Sequence, residues 1–164
     1  MLELKRITSL YVADQDRISL TAQLGDGGFA RIWLTQRIVN RLVPALVNQV
    51  KPDHTDAVYA DVIAGVAQQR AVDRHEPQAP VRVAEAGHEW LVCKIDMQIA
   101  KNGAILIFCS ADGDTARLAM NAELLRQWLA ILRRVYMAAE WHGAGWPTWI
   151  VAPSKTHMAA KVLH

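Results

Sequence analysis

The chain has 164 residues, of which 52% are hydrophobic and 21% are charged, and its formal net charge is +2. This length and composition are typical of one soluble globular domain whose core needs no disulfide and no metal. They exclude a disulfide framework, since there are two cysteines, and a membrane span, since no apolar run approaches the roughly 18 to 20 residues required. From the length we expect a single domain, 1–164. We expect its location to be a reducing cytoplasm, because the two cysteines are predicted to be free thiols and the first residues lack the apolar core of a signal peptide.

Residues 1–34 are predicted to form β-strands. Apolar and polar side chains alternate, and Gly25–Gly28 closes a hairpin between the second and third strands. Pairing across this turn places Leu20 opposite Trp33, a contact that helps to hold a register. The three predicted strands are Lys5–Ala13, Arg17–Leu24 and Phe29–Leu34.

The apolar spacing becomes helical at Thr35, which predicts a pair of helices over 35–74. Thr35 is a suitable N-cap for the first helix, and Pro44 predicts a kink or break near Leu42. Asp53 is the predicted N-cap of the second helix. The buried stripe of that helix is predicted to be aliphatic: Val58, Val62, Ile63 and Val66. Its small residues leave room for a close neighbour: Ala60, Ala64, Gly65 and Ala67.

Residues 81–120 are predicted to form antiparallel strands. Trp90–Ala100 alternates between apolar and polar side chains, which indicates a strand with one core face. The dipeptide Asn102–Gly103 predicts a type I′ turn. Both central residues of such a turn need a positive φ, which Asn and Gly adopt more readily than other residues. This turn places Met97 opposite Phe108, so that the apolar face continues into the next strand.

The segment Ala104–Cys109 is apolar at every position, which predicts a strand covered on both faces. A three-residue loop, Asp112–Asp114, then leads to the last strand. This loop length puts Leu118 on the core face, because a slip of one residue swaps the two faces of a strand. On the other face, Asp96 and Arg117 are expected to form an ion pair.

A long basic helix is predicted over 121–142, followed by a tail at 143–164. Residues 117–164 carry six basic and two acidic side chains, and three arginines are expected on the exposed side of the helix: Arg126, Arg133 and Arg134. Three of the six tryptophans follow within nine residues: Trp141, Trp146 and Trp149. These indoles either contact a partner or pin the tail to its own domain. The second interpretation is favoured, since three exposed indoles are an aggregation hazard.

The predicted fold class is α+β. We expect an antiparallel sheet or small β-sandwich built from hairpins, with an inserted pair of helices and a long C-terminal helix packed on the sheet. Between the pair of helices and the later hairpins, the sequence predicts a connector, His75–Pro80, followed by a short strand, Val81–Glu85.

The sequence predicts no catalytic residue, metal or cofactor. Gly25–Gly28 lacks the Lys-Ser/Thr of a phosphate loop, and the six histidines include no pair at i, i+4 on a predicted helix. The leading hypothesis is therefore a non-catalytic interaction or assembly module that self-associates, with the tail tryptophans and the three arginines as the contact surface. The alternatives are a small-ligand-binding protein or enzyme with a site gathered from distant residues, and, more weakly, nucleic-acid binding through the basic helix. We expect no membrane partner and no nucleic-acid binding at physiological salt.

Overall fold

A computed structural model describes residues 1–52, 56–83 and 87–150. These residues contain seven β-strands and three α-helices: β1 (Leu2–Val12), β2 (Arg17–Leu24), β3 (Phe29–Leu34), α1 (Gln36–Val50), α2 (Ala57–Asp73), β4 (His88–Leu91), β5 (Lys94–Ala100), β6 (Gly103–Cys109), β7 (Thr115–Asn121) and α3 (Ala122–Ala138). The class is α+β, as predicted, and α3 packs on the sheet. It ends at Ala138, three residues before the predicted helix reaches Trp141.

The strands form one mixed sheet in the order β4-β3-β2-β1-β7-β6-β5. Two of its pairs are parallel: β1 with β7, where Leu4 lies opposite Leu118, and β3 with β4, where Ile32 lies opposite Trp90. The expectation of a purely antiparallel sheet is therefore wrong. Parallel pairs join segments that no tight turn connects, so a hairpin pattern gives no signal for them.

The sheet is curled so that its two edge strands are neighbours in the chain. The segment Trp90–Ala100, predicted as one strand, is interrupted at Val92 and Cys93. The Val92 N–H donates to the carbonyl of Trp33 in β3, and the Cys93 N–H donates to the carbonyl of Cys109 in β6, both at 2.9 Å. The first half of this segment, β4, therefore pairs with β3 at one edge of the sheet, and the second half, β5, pairs with β6 at the other edge.

The β2–β3 hairpin differs from the predicted register by one residue. Leu20 lies opposite Ile32, so its predicted pairing with Trp33 is wrong. The Leu24 N–H donates to the Gly28 carbonyl at 2.8 Å, which leaves three residues inside the turn. Because a slip of one residue swaps the faces of a strand, Trp33 lies on the outer face of the sheet.

The β5–β6 hairpin differs from its predicted register by two residues. Met97 lies opposite Leu106 and not Phe108, and the turn residues are Lys101–Asn102 instead of Asn102–Gly103. The type I′ prediction is wrong, since neither turn residue has a positive φ. A shift of two residues preserves the faces of both strands, so Met97 stays on the core side. The predicted core face is wrong elsewhere in this segment: Ile99 is 73% exposed, and Trp90 and Val92 are buried instead of Leu91 and Cys93.

The β6–β7 hairpin keeps its predicted three-residue loop but moves it by one position. The loop is Ala111–Gly113 instead of Asp112–Asp114, and Leu118 lies opposite Leu106. The hydroxyl of Ser110 accepts from the backbone N–H groups two and four residues later, at 3.2 and 2.9 Å. This side chain holds the loop one position nearer the N-terminus than the apolar pattern alone predicts.

The outer face of the sheet is covered only in part. Ile105 and Ile107 are half-buried there, so the expectation of two covered faces holds partially. Near β1, the chain before β4 crosses this face, and the Val81 N–H donates to the Thr8 hydroxyl at 2.9 Å. The predicted strand Val81–Glu85 is absent over its first three residues, and its last two lie outside the described residues.

Two ion pairs on the outer face differ from the predicted one. Arg117 pairs with Glu3 across the parallel β1–β7 contact, with Nη1 and Oε2 3.0 Å apart. Asp96 pairs with Lys94 of its own strand, with Oδ2 and Nζ 2.9 Å apart. The predicted Asp96–Arg117 pair is therefore wrong. Ile107 separates the two residues, and each has a nearer partner.

Helices α1 and α3 bury their apolar stripes against the core face of the sheet. The Thr35 hydroxyl accepts from the N–H of Ile38 at 3.4 Å, which confirms the predicted N-cap. The helix continues through Pro44 as one element, so no break occurs there. Apolar residues at helical spacing predict the buried stripe of α3: Leu125, Trp128, Leu129, Leu132, Val135, Tyr136 and Ala139. The helix buries the first six of these and also Ala130, and Ala139 is its half-buried C-cap. No helix in the described part of the chain has the length and apolar character needed to cross a membrane.

Candidate interaction surface

The tail tryptophans pack on their own domain. Trp141 is buried, and its ring makes edge-to-face contacts with Tyr11 and Tyr136 at centroid distances of 5.9 and 5.8 Å. Its Nε1 donates to Asp16 at 2.9 Å, so the polar atom of this indole is also satisfied. Trp146 is half-buried and meets Tyr136 at a centroid distance of 5.7 Å.

The third indole lies beside α2. Trp149 is half-buried against the core, and its Cβ lies 3.4 Å from the point where a Cβ on Gly65 would stand. The three tryptophans that the sequence offered as contact residues therefore cover the protein's own core to a large extent. The structure does not gather them into a free surface.

The three arginines of α3 are not equivalent. Arg126 is half-buried, so its predicted exposure is wrong. Its guanidinium donates to the carbonyls of Val50 and Ala64, and burial lowers the pKa of Arg126. Arg133 is half-buried and Arg134 is exposed. Since α2 covers one side of α3, the predicted basic face is divided.

We expect the Arg126→Met substitution to lower the free energy of unfolding by about 1–2 kcal/mol, because it leaves the partly buried carbonyl of Val50 without its charged donor. Val50 is the last residue of α1, so the loss should loosen the junction of the helices. Urea denaturation measures the change. The control is Arg134→Met, at an exposed position, which should change stability by less than about 0.5 kcal/mol. Equal losses in the two variants would contradict this role.

The largest difference from the predicted burial lies on α2. The aliphatic stripe that the sequence placed in the core faces outward: Val58 is 74% exposed, Val62 58% and Val66 48%. Tyr59, also 58% exposed, lies on the same side. We call these residues, together with half-buried Ile63, the α2 apolar face. Scattered exposed aliphatic residues are ordinary, but a continuous stripe along one helix is not.

The opposite side of α2 packs on α3 through small residues: Ala60, Ala64 and Ala71, with Gln68. Gln68 Nε2 donates to the Arg126 carbonyl at 2.9 Å, and Gln127 Nε2 donates to the Ala71 carbonyl at 3.0 Å. These amides reach across only because alanines let the two helices approach closely. Valines on this side would separate the helices and break both hydrogen bonds. Close packing therefore selects the small-residue side for burial.

Opposite charges mark the two ends of the α2 apolar face. Asp56 is the N-cap, and its carboxylate accepts from the backbone N–H groups of the next turn at 2.9 and 3.2 Å. The predicted cap, Asp53, lies outside the described residues, and the observed helix begins after Asp56. Arg70, Asp73 and Arg74 lie at the other end, so that end is basic by one net charge. Arg74 Nη1 is 3.6 Å from a carboxylate oxygen of Glu123, and the Asp73 carboxylate accepts from Gln69 Nε2 at 2.8 Å.

Two open depressions adjoin the α2 apolar face. One, of about 260 Å³, is mainly apolar and is lined by Tyr59, Val62, Ile63, Val66, Ala67 and Arg70. The other, of about 190 Å³, lies between α2 and the start of α3 and includes three arginines: Arg70, Arg74 and Arg126. Both are smaller than the roughly 300 to 1,000 Å³ of typical ligand pockets. Their open shape fits side chains of a protein partner better than an enclosed small molecule.

The two cysteines lie where β5 begins and β6 ends, next to the Lys94–Asp96 ion pair. Cys93 and Cys109 are free thiols, and the Cys93 Sγ lies 3.3 Å from the Cys109 carbonyl oxygen. Within residues 1–52, 56–83 and 87–150, no three His, Cys, Asp or Glu side chains lie close enough together to hold a metal ion.

Comparisons of the chain with protein-family models, with curated proteins and with solved structures found no match. The most unusual part of the described surface is the α2 apolar face, which sequence reasoning identified as a stripe but placed on the wrong side of the helix. The available signal was the row of small residues beside it, which also forms a face of α2.

Proposed function

We propose that this chain is a non-catalytic assembly module that self-associates through the α2 apolar face. The observation that carries the proposal is the exposure of Val58, Val62 and Val66 on a helix whose other side is already packed. Apolar stripes rimmed by charged residues are characteristic of protein contact surfaces. A second copy that covered this stripe would remove its aliphatic area from water.

The alternative functions have weaker support. A small-ligand site or an enzyme would be better supported by an enclosed pocket with converging polar groups, and the depressions beside α2 are open and small. Nucleic-acid binding would need a dense basic patch, and Arg126 is engaged with the carbonyls of two helices. A reducing cytoplasmic location remains part of the proposal, supported by the two free thiols.

The test is the molar mass in solution, measured by light scattering over a concentration series. We expect the unmodified chain to move from monomer to dimer as its concentration rises. The Val62→Glu substitution should raise the dissociation constant about tenfold or more, because it places a charge in the centre of the apolar contact. Since Val62 is exposed, its replacement should leave the fold intact, which circular dichroism verifies.

A matched control is available on another helix. Met137 of α3 is 58% exposed, the same fraction as Val62, and lies outside the α2 apolar face. Met137→Glu should therefore leave the dissociation constant unchanged. A monomer at every concentration would contradict the proposed function. An equal effect of both substitutions would show that the association uses some other surface.

A further inference from the structure

We infer that the partner is a second copy of this chain, whose α2 packs antiparallel on α2 of the first across a twofold axis near Val62 and Ile63. This inference rests on the proposed self-association and adds its geometry. A twofold contact requires a surface that complements itself, so that each residue meets a suitable residue when the copy is turned end for end. The α2 apolar face has this property in both its apolar residues and its charges.

The charges determine the direction of pairing. Asp56, Ile63 and Arg70 are spaced by seven residues, or nearly two helical turns, so they follow one line along α2. Ile63 lies midway between the acidic and the basic end. In an antiparallel pair, Asp56 of each copy approaches Arg70 of the other, and the two helix dipoles oppose each other favourably. A parallel pair would place like charges together at both ends.

The apolar residues have the spacing that helix pairing requires. Tyr59, Val62 and Val66 are separated by three and four residues, which is the spacing of the seam in a coiled coil. Their exposure on the side of α2 away from α3 leaves this seam accessible. When the second copy is related to the first by a twofold axis near Val62 and Ile63, Tyr59 of one copy meets Val66 of the other.

A second possible occupant is the chain's own segment 151–164, since Trp149 lies beside Gly65 of α2. That segment carries Lys155 and Lys161 and no acidic residue. It therefore offers no carboxylate side chain to Arg70, whereas a second copy offers Asp56; Arg74 is already paired with Glu123. This difference in charge favours the second copy.

The contact is expected to be modest in strength. The helix of 17 residues is about 25 Å long at about 1.5 Å per residue, and one helix face covers less than the roughly 800 Å² per partner of a standard interface. We therefore expect dissociation constants in the micromolar range, which is typical of small interfaces. The concentration series must extend well above that range.

The experiment is disulfide cross-linking of the full chain with Cys93 and Cys109 replaced by serine. Val62→Cys lies near the proposed axis, so it should cross-link to itself under mild oxidation and give a covalent dimer. Tyr59→Cys should not cross-link to itself, but it should cross-link when mixed with Val66→Cys. Met137→Cys is the control for random collisions and should remain monomeric.

The outcomes separate this inference from the proposed function. If light scattering shows a dimer but these cysteines fail to cross-link, the antiparallel α2 pairing is overturned and self-association stands. Self-cross-linking of Tyr59→Cys would indicate a parallel pair and would also overturn it. If the protein is monomeric and Val62→Cys is protected from a thiol reagent, the chain's own segment 151–164 is the occupant, and both proposals fail.

Discussion

Replacing Leu106 by alanine is expected to lower the free energy of unfolding by about 2–5 kcal/mol. Leu106 is fully buried in β6, with Met97 of the edge strand β5 on one side and Leu118 of β7 on the other. Removal of its side chain takes away apolar contacts and leaves a cavity that neighbouring strands, fixed by their hydrogen bonds, fill poorly. Urea denaturation of a two-state transition measures the loss.

The neighbouring residue provides the matched control. Ile107 has a side chain of the same size but points to the outer face, where it is half-buried. Ile107→Ala should therefore cost only about 1–2 kcal/mol, since part of the side chain already meets water in the folded state. Equal losses at the two positions would show that the outer face is covered in solution, as the apolar sequence of β6 first indicated.

The second large effect is expected for Gly103→Ala, which should lower stability by about 3 kcal/mol. A Cβ on Gly103 would stand 2.0 Å from the carbonyl oxygen of Met120 and 2.7 Å from the Cα of Asn121. Both are backbone atoms, so no side-chain rotation can relieve the overlap. The β6 and β7 strands would have to separate at the start of β6. Thermal unfolding followed by circular dichroism measures the loss.

A second glycine tests whether the close approach is the cause. A Cβ on Gly87 would meet nothing nearer than 3.9 Å, which is ordinary van der Waals contact. Gly87→Ala should therefore change stability by less than about 0.5 kcal/mol. If both substitutions were equally damaging, the overlap between β6 and β7 would not be the cause of the loss.

The core faces of β6 and β7 were predictable from the sequence because they depend on alternation along one short segment. The observed registers of β5, β6 and β7 differ from the predicted ones by two residues, which keeps Leu106 and Leu118 in the core, but Ile99 of β5 is exposed. In the β2–β3 hairpin the difference is one residue, and Trp33 moves to the outer face. The glycine-rich turn there allows several loop lengths, so the turn itself does not fix the register.

The candidate surface was only half predictable. The spacing of Val58, Val62 and Val66 correctly indicated a stripe on a helix, but the other side of α2 is formed by alanines that are also apolar. The hydrophobic effect alone favours burial of the valine side, which has the larger apolar area, so it gave no indication that the alanine side packs on α3. Arg126 was misplaced for the same reason, because its surroundings depend on where α2 lies.

The sequence by itself determined the α+β class, the cap at Thr35, the buried stripe of α3 and the core faces of β6 and β7. Each of these depends on side-chain period and capping within a few residues of chain. Only the tertiary structure decided the parallel contacts of β1 with β7 and of β3 with β4, and the side that α2 turns to α3. Both choices depend on contacts between segments that are distant in the chain. In the case of α2, close packing of the alanines and the hydrogen bonds to α3 outweigh the larger apolar area of the valines.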